Sequence, residues 1–208
     1  MQVLLPVIYG AALGAVLAVP ARLLCVFLLR QRGIEQAMQR LHFILLLLGM
    51  ALLGGVIGWQ AGVSFSGLYL MLLLFISACV FYIDAMRRII PNELVLSILV
   101  LAAVFGLTGL IRFQIWQSLL GLVVCFVIFF LPGLFGKAVG AGDVKLASAM
   151  GFALGLERSL YAIAGMGVLV LLLLLLDRRL PLAQRLKQMI PMGPFLALAL
   201  VAASIFFS

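Results

Sequence analysis

Two aspartates stand out among the residues able to do chemistry. The chain has only six acidic residues, so each can be weighed by its surroundings. Glu35, Glu157 and Asp177 lie in basic stretches, where pairing with nearby arginines in solvent accounts for them. Glu93 follows Pro91 and Asn92 at the start of an apolar run, where a carboxylate suits the positive end of a helix. Asp84, in F-Y-I-D-A-M-R-R-I-I-P-N-E-L, directly ends an almost unbroken apolar run, at a boundary where burial makes a lone carboxylate costly. Asp143 lies in G-K-A-V-G-A-G-D-V-K-L, just after Gly140 and Gly142. Two residues without side chains let a backbone or a substrate come close and permit dihedrals that other residues resist.

Two carboxylates meeting in a partly desolvated site do not easily both ionise, so they share a proton and titrate as a pair. That is the aspartic-protease arrangement, in which one carboxylate takes a proton from water while its protonated partner polarises the scissile carbonyl. Two other accounts fit the same residues. In the plainer one, Asp84 pairs with Arg87 or Arg88, and Asp143 caps the next helix or pairs with Lys145. In the other, the acids are relays of a small proton- or cation-coupled transporter. A transporter more naturally carries such acids in mid-span and shows two corresponding halves. These acids sit at span edges, and no internal repeat is visible.

The elements that must position Asp84 and Asp143 follow from composition. Two thirds of the 208 residues are apolar and one in ten is charged, with a mean hydropathy of +1.37. A soluble domain of this length needs far more polar surface, so the chain reads as an all-α polytopic membrane protein forming one unit over residues 1–208. Within it, residues 1–83 supply N-terminal helices and a short basic loop, and residues 84–208 carry the catalytic candidates. A spanning helix needs roughly 20 apolar residues, and eight such runs are visible: Val3–Ala21, Leu41–Gly58, Gly67–Ile83, Leu94–Ile111, Trp116–Leu134, Val144–Leu156, Ser159–Leu176 and Ile190–Phe207. The sixth is short for a full crossing. Gly10, Gly14, Gly49, Gly54, Gly55 and Gly58 are read as close-approach positions between helices.

Charge orients these spans. With the N-terminus outside, the loops expected in the cytoplasm carry Arg30, Arg32, Arg40, Arg87, Arg88, Lys137, Lys145, Arg178, Arg179, Arg185 and Lys187. The opposite loops carry Arg112 and Arg158. The bias of Lys and Arg toward the cytoplasm then places both termini outside and both aspartates at the cytoplasmic face. It also accounts for the net charge of +8 without nucleic acid, since no basic-aromatic interleaving is present. The first run lacks the basic residues that precede a signal peptide's core, which reads as a retained helix. Cys25, Cys79 and Cys125 lie in apolar stretches with no C-x-x-C, as small buried hydrophobes do. His42, the single histidine, reads as an interfacial residue. No metal site and no cofactor is expected.

Three ordered patches resemble the type IV prepilin peptidases, membrane aspartic proteases of type IV pilus and type II secretion systems. Asp84 with Ile90-Pro91-Asn92 is similar to the family's first aspartate and its I/L-P-N/D turn. Gly140 to Gly151, G-A-G-D-V-K-L-A-S-A-M-G, is similar to its G-x-G-D-x-K-L motif. Ile190 to Ala199, I-P-M-G-P-F-L-A-L-A, is similar to its I-P-F-G-P-F-L-A segment. The resemblance runs from about Asp84 to the C-terminus, with a looser echo in the first helix. It implies that Asp84 and Asp143 are the catalytic pair, that Gly140 and Gly142 shape the site, and that Lys145 belongs to the motif without an assigned chemical role. It further implies a prepilin or pseudopilin substrate, lying in the membrane and cut at its cytoplasmic boundary, and a bacterial inner-membrane location. An intramembrane protease of the presenilin kind shares only the G-x-G-D. Longer family members carry two C-x-x-C pairs between the first two helices and also methylate the new N-terminus. Arg22–Arg40 has no such pairs, and no G-x-G-x-x-G follows a strand pattern, so cleavage without methylation is the expectation.

Overall fold

The computed structural model describes residues 4–35, 38–134, 140–176 and 192–206. These form eight helices and no strand: α1 Leu4–Gln31, α2 Arg40–Ala61, α3 Phe65–Arg87, α4 Asn92–Leu107, α5 Ile115–Leu134, α6 Ala141–Leu154, α7 Leu156–Leu176 and α8 Gly193–Phe206. Helices satisfy every backbone group within the segment, as apolar surroundings require. Five of them, α1, α2, α3, α5 and α7, are long and apolar enough to cross a membrane, and α4 and α8 are shorter apolar helices. The chain is a polytopic, all-α membrane protein, as its composition demands.

Helix bounds depart from expectation where turn chemistry or continued apolar sequence intervenes. The first helix does not stop at Ala21 but runs through Pro20 to Gln31, because Leu23 to Leu29 continue the apolar run. Arg22, placed in a loop from sequence, therefore lies within the helix, its guanidinium 4.9 Å from the Phe43 ring centroid on α2. This is a cation-π contact that a half-buried arginine can use. The fourth helix stops at Leu107 rather than Ile111. Thr108 bonds back to the Val104 carbonyl, and Gly109 at φ 73° takes the left-handed conformation that turns the chain. Gly155, at φ 78°, splits α6 from α7 in the same way.

Glycine explains the tightest packing. A Cβ on Gly10 would meet the Gly54 carbonyl oxygen, one on Gly14 the Met50 carbonyl, and one on Gly58 the Pro6 carbonyl. Thus α1 and α2 touch through their backbones, the use of small residues expected between helices in lipid. Gly55 faces Ala11 and Val7 at ordinary distance, whereas Gly49 has nothing within 4 Å of a Cβ and is not a packing position. Gly121 on α5 and Gly151 on α6 form a second seam of this kind, which the sequence reading did not single out.

The core is centred on α3. Two thirds of its best membrane-length window is buried, against one third or less for α1, α2, α5 and α7. It packs on α1, α2, α4 and α8, while α6 packs on α4, α5, α7 and α8. Among the described residues α3 and α6 make no direct packing contact. Helices α4 and α8 bridge them. All three cysteines are buried and free, as expected of small hydrophobes.

Candidate active site

Asp84 occupies the last turn of α3, four residues before the helix is capped. Its carbonyl accepts the Arg88 N–H at 2.8 Å, and Arg88 adopts a left-handed φ of 56°, a conformation few non-glycine residues take. This abrupt end hands the chain to Ile89, Ile90 and Pro91, and Pro91 caps α4. Asp84 is only 4% exposed. Among the described residues its Oδ2 accepts one hydrogen bond, from the backbone N–H of Gly193 at 3.1 Å. Gly193 is the first residue of α8, so a positive helix end and a backbone donor both address the buried carboxylate. A Cβ on Gly193 would lie 2.6 Å from that same oxygen, and only glycine fits there.

Asp143 sits in the first turn of α6, half-buried, within electrostatic reach of Asp84. Neither of the plainer pairings forms. Arg88 lies within electrostatic reach of Asp84, but among the described residues the ion pair present is Arg32 with Glu93, at 2.7 Å. Lys145 does not turn to Asp143. Its Nζ donates to the Asn92 side-chain oxygen at 3.1 Å, joining the first turn of α6 to the first turn of α4. Nor does Asp143 cap its helix: the cap position is Gly140, with no side-chain bond.

The two motif glycines act through space rather than dihedral freedom. Gly140 has an ordinary φ of −64° and Gly142 lies within α6. A Cβ on Gly140 would approach the Asp143 Oδ2 at 2.8 Å, and one on Gly142 the Ile90 Cβ at 3.1 Å. Gly142 thereby lets the start of α6 close on the Ile90-Pro91-Asn92 turn. The five residues singled out in the sequence, Asp84, Asp143, Gly140, Gly142 and Lys145, thus come to one end of the helix bundle.

Glu93, at the head of α4, does more than suit the helix end, because its bond to Arg32 ties the end of α1 to α4. Glu35 and Glu157 are exposed and form no ion pair among the described residues, while Asp177 lies outside them, as do Lys137, Ile190 and Pro191. His42 is half-buried, edge-on to the Tyr82 ring with centroids 6.2 Å apart, two residues from Asp84. The residue that sequence reasoning missed is Gly193. It was visible within I-P-M-G-P, but nothing local shows that its amide meets a carboxylate 109 positions away.

What this arrangement can do chemically follows from its isolation. Among the described residues, a buried carboxyl with one neutral donor stands near a second carboxyl with no cation bonded to either, and their helices do not pack on each other. Two carboxyls placed within electrostatic reach of each other can share a proton. No curated protein and no solved structure matches the chain. Residues 68–175, just over half of it, match the type IV leader peptidase family. The match begins upstream of Asp84 in α3, takes in Asp143, and ends before the Gly193 segment. This chain belongs to the type IV leader peptidase family.

Proposed function

We propose that the chain is an aspartic endopeptidase that removes the leader from prepilin-like or pseudopilin precursors, with Asp84 and Asp143 as its catalytic dyad. The observation that carries the reading is the convergence, at one end of the bundle, of two carboxyls 59 positions apart in sequence that form no ion pair among the described residues. In this mechanism Asp143, the more exposed acid, takes a proton from water. Asp84 keeps its proton and hydrogen-bonds the scissile carbonyl, its other oxygen held by the Gly193 amide. Water attacks the carbonyl carbon, the tetrahedral intermediate collapses, and the leaving amine takes a proton from the dyad. The space between α3 and α6, which do not pack on each other, would take an extended peptide. Gly140 and Gly142 keep its wall low, and Lys145 braces α6 on α4 through Asn92.

The transporter reading has less support. The acids stand at helix ends rather than in mid-span, and the family is one of peptidases. The loops that carry most Lys and Arg adjoin the aspartates, which supports a cytoplasmic active site in a bacterial inner membrane with both termini outside. A thiol probe applied outside intact cells should leave a single cysteine placed at Ala85 unlabelled. Labelling there overturns the orientation.

Purified chain mixed with a prepilin and S-adenosylmethionine tests the activity. The expected product is the mature pilin at its unmethylated mass. An uncut precursor ends the peptidase reading, and a gain of one methyl dependent on this chain ends the expectation that the added cysteine-rich segment is needed for methylation.

A further inference from the structure

The end of the bundle opposite the aspartates holds a cavity of about 790 Å³, lined by the starts of α3, α5 and α7, the ends of α6 and α8, and the loop from Gly109 to Gln114 that follows α4. Tyr69 lies fifteen residues before Asp84 on α3, so the two are about 22 Å apart along the axis at 1.5 Å per residue. This site is therefore separate from the dyad. Its size is that of a small-molecule pocket, yet its chemistry is not apolar.

Tyr69 supplies the first pointer to a ligand. The residue is 7% exposed, its ring rests against Phe105 at 5.5 Å, and its buried hydroxyl has no hydrogen-bond partner among the described residues. A buried hydroxyl left without a partner is costly, so a group filling the cavity would satisfy it. Charge supplies the second pointer. Arg112 and Arg158 line the cavity against one acid, Glu157, and neither arginine forms an ion pair among the described residues. Arg158 is half-buried and its charge reaches Tyr69. Position supplies the third. Trp116 opens α5 and Trp59 closes α2 at this end, 76% and 62% exposed, as tryptophans are at headgroup level.

We propose that this cavity binds a phosphate-bearing anion at the membrane surface, with Arg158 and Tyr69 as its inner contacts and Arg112 at its rim. An arginine fork suits phosphate oxygens in pairs, and the Tyr69 hydroxyl donates to a third. The phosphate of an anionic phospholipid and free phosphate share this chemistry.

Full-length chain in neutral detergent, titrated separately with phosphatidylglycerol and with inorganic phosphate, distinguishes the two sources. Native mass spectrometry would follow the lipid and calorimetry the phosphate. Saturable one-to-one binding is expected, weakened about tenfold or more by Arg158→Gln and less by Tyr69→Phe, because a charge-assisted bond outweighs a neutral one. Saturation by phosphatidylglycerol alone makes the occupant a lipid headgroup, and saturation by inorganic phosphate as well makes it the phosphate group itself. Absence of saturable binding by either probe overturns the proposal, as does binding that survives both substitutions. Should Arg158→Gln not fold, Tyr69→Phe decides alone, because it keeps the ring packed on Phe105.

Discussion

Along α1 and α2, Gly10, Gly14, Gly54 and Gly58 bring two long helices into backbone contact over several turns. Around Asp84 and Asp143 the plan differs. The helices that start there, α4, α6 and α8, have 16, 14 and 14 residues, and α3 and α6 do not pack on each other. The first region spends its small residues on contact, and the second spends them on clearance. Gly193 clears Asp84, Gly140 clears Asp143 and Gly142 clears Ile90. The family match begins at residue 68, past the α1–α2 pair and within α3, so the contact region also lies outside the stretch that defines the family. A glycine in such a protein therefore has two separable meanings, backbone contact in one region and room for a carboxyl in the other.

Substitution at the dyad should give the largest effect. Asp84→Asn and Asp143→Asn should each lower prepilin cleavage on the order of 10²–10⁴-fold, and the double variant should be hardly worse, since paired groups act as a unit. Melting temperatures in detergent should stay near the wild-type value. Substantial cleavage by Asp143→Asn removes the dyad.

Gly193→Ala sharpens the clearance side. The added methyl meets the Asp84 carboxyl, and displacing a reacting group by about 1 Å can cost on the order of 100-fold in rate. The fall should appear in kcat with KM little changed, and wild-type kinetics would show that the Gly193 amide does not hold Asp84 for catalysis. Gly54→Val tests the contact side. Overpacking costs about 1–3 kcal/mol, so the variant should melt earlier while the molecules that remain folded cleave at near-normal rate. A Gly54→Val protein with normal stability and defective kcat would erase the distinction between the two regions.

The same distinction marks what the sequence makes legible. Eight helices, the membrane setting and the small-residue seam of α1 and α2 follow from hydropathy and spacing, because lipid leaves a backbone few alternatives. Asp84 and Asp143 were visible because a carboxylate beside an apolar run needs a reason. Gly193 and the Lys145–Asn92 link were not, since each joins segments far apart in sequence and neither residue type is unusual where it stands. The extension of α1 past Ala21 was missed because Arg22 interrupts the apolar run. Arg22 was assigned to a loop for its charge, although the Phe43 ring gives that charge a place on the helix face.

The length of α6 bears on the lipid around it. Fourteen residues rise about 21 Å, against a hydrocarbon thickness of about 30 Å. Packed on α4, α5, α7 and α8, α6 ends about 9 Å short of that thickness, and where lipid meets its ends the bilayer dips or solvent descends to them. Asp143 stands at one of those ends. On the proposed function the hydrolytic water would then reach Asp143 through such a dimple in the leaflet, and acyl-chain length would become a variable of the reaction. Longer chains deepen the dimple and raise its elastic cost, while thinner bilayers flatten it.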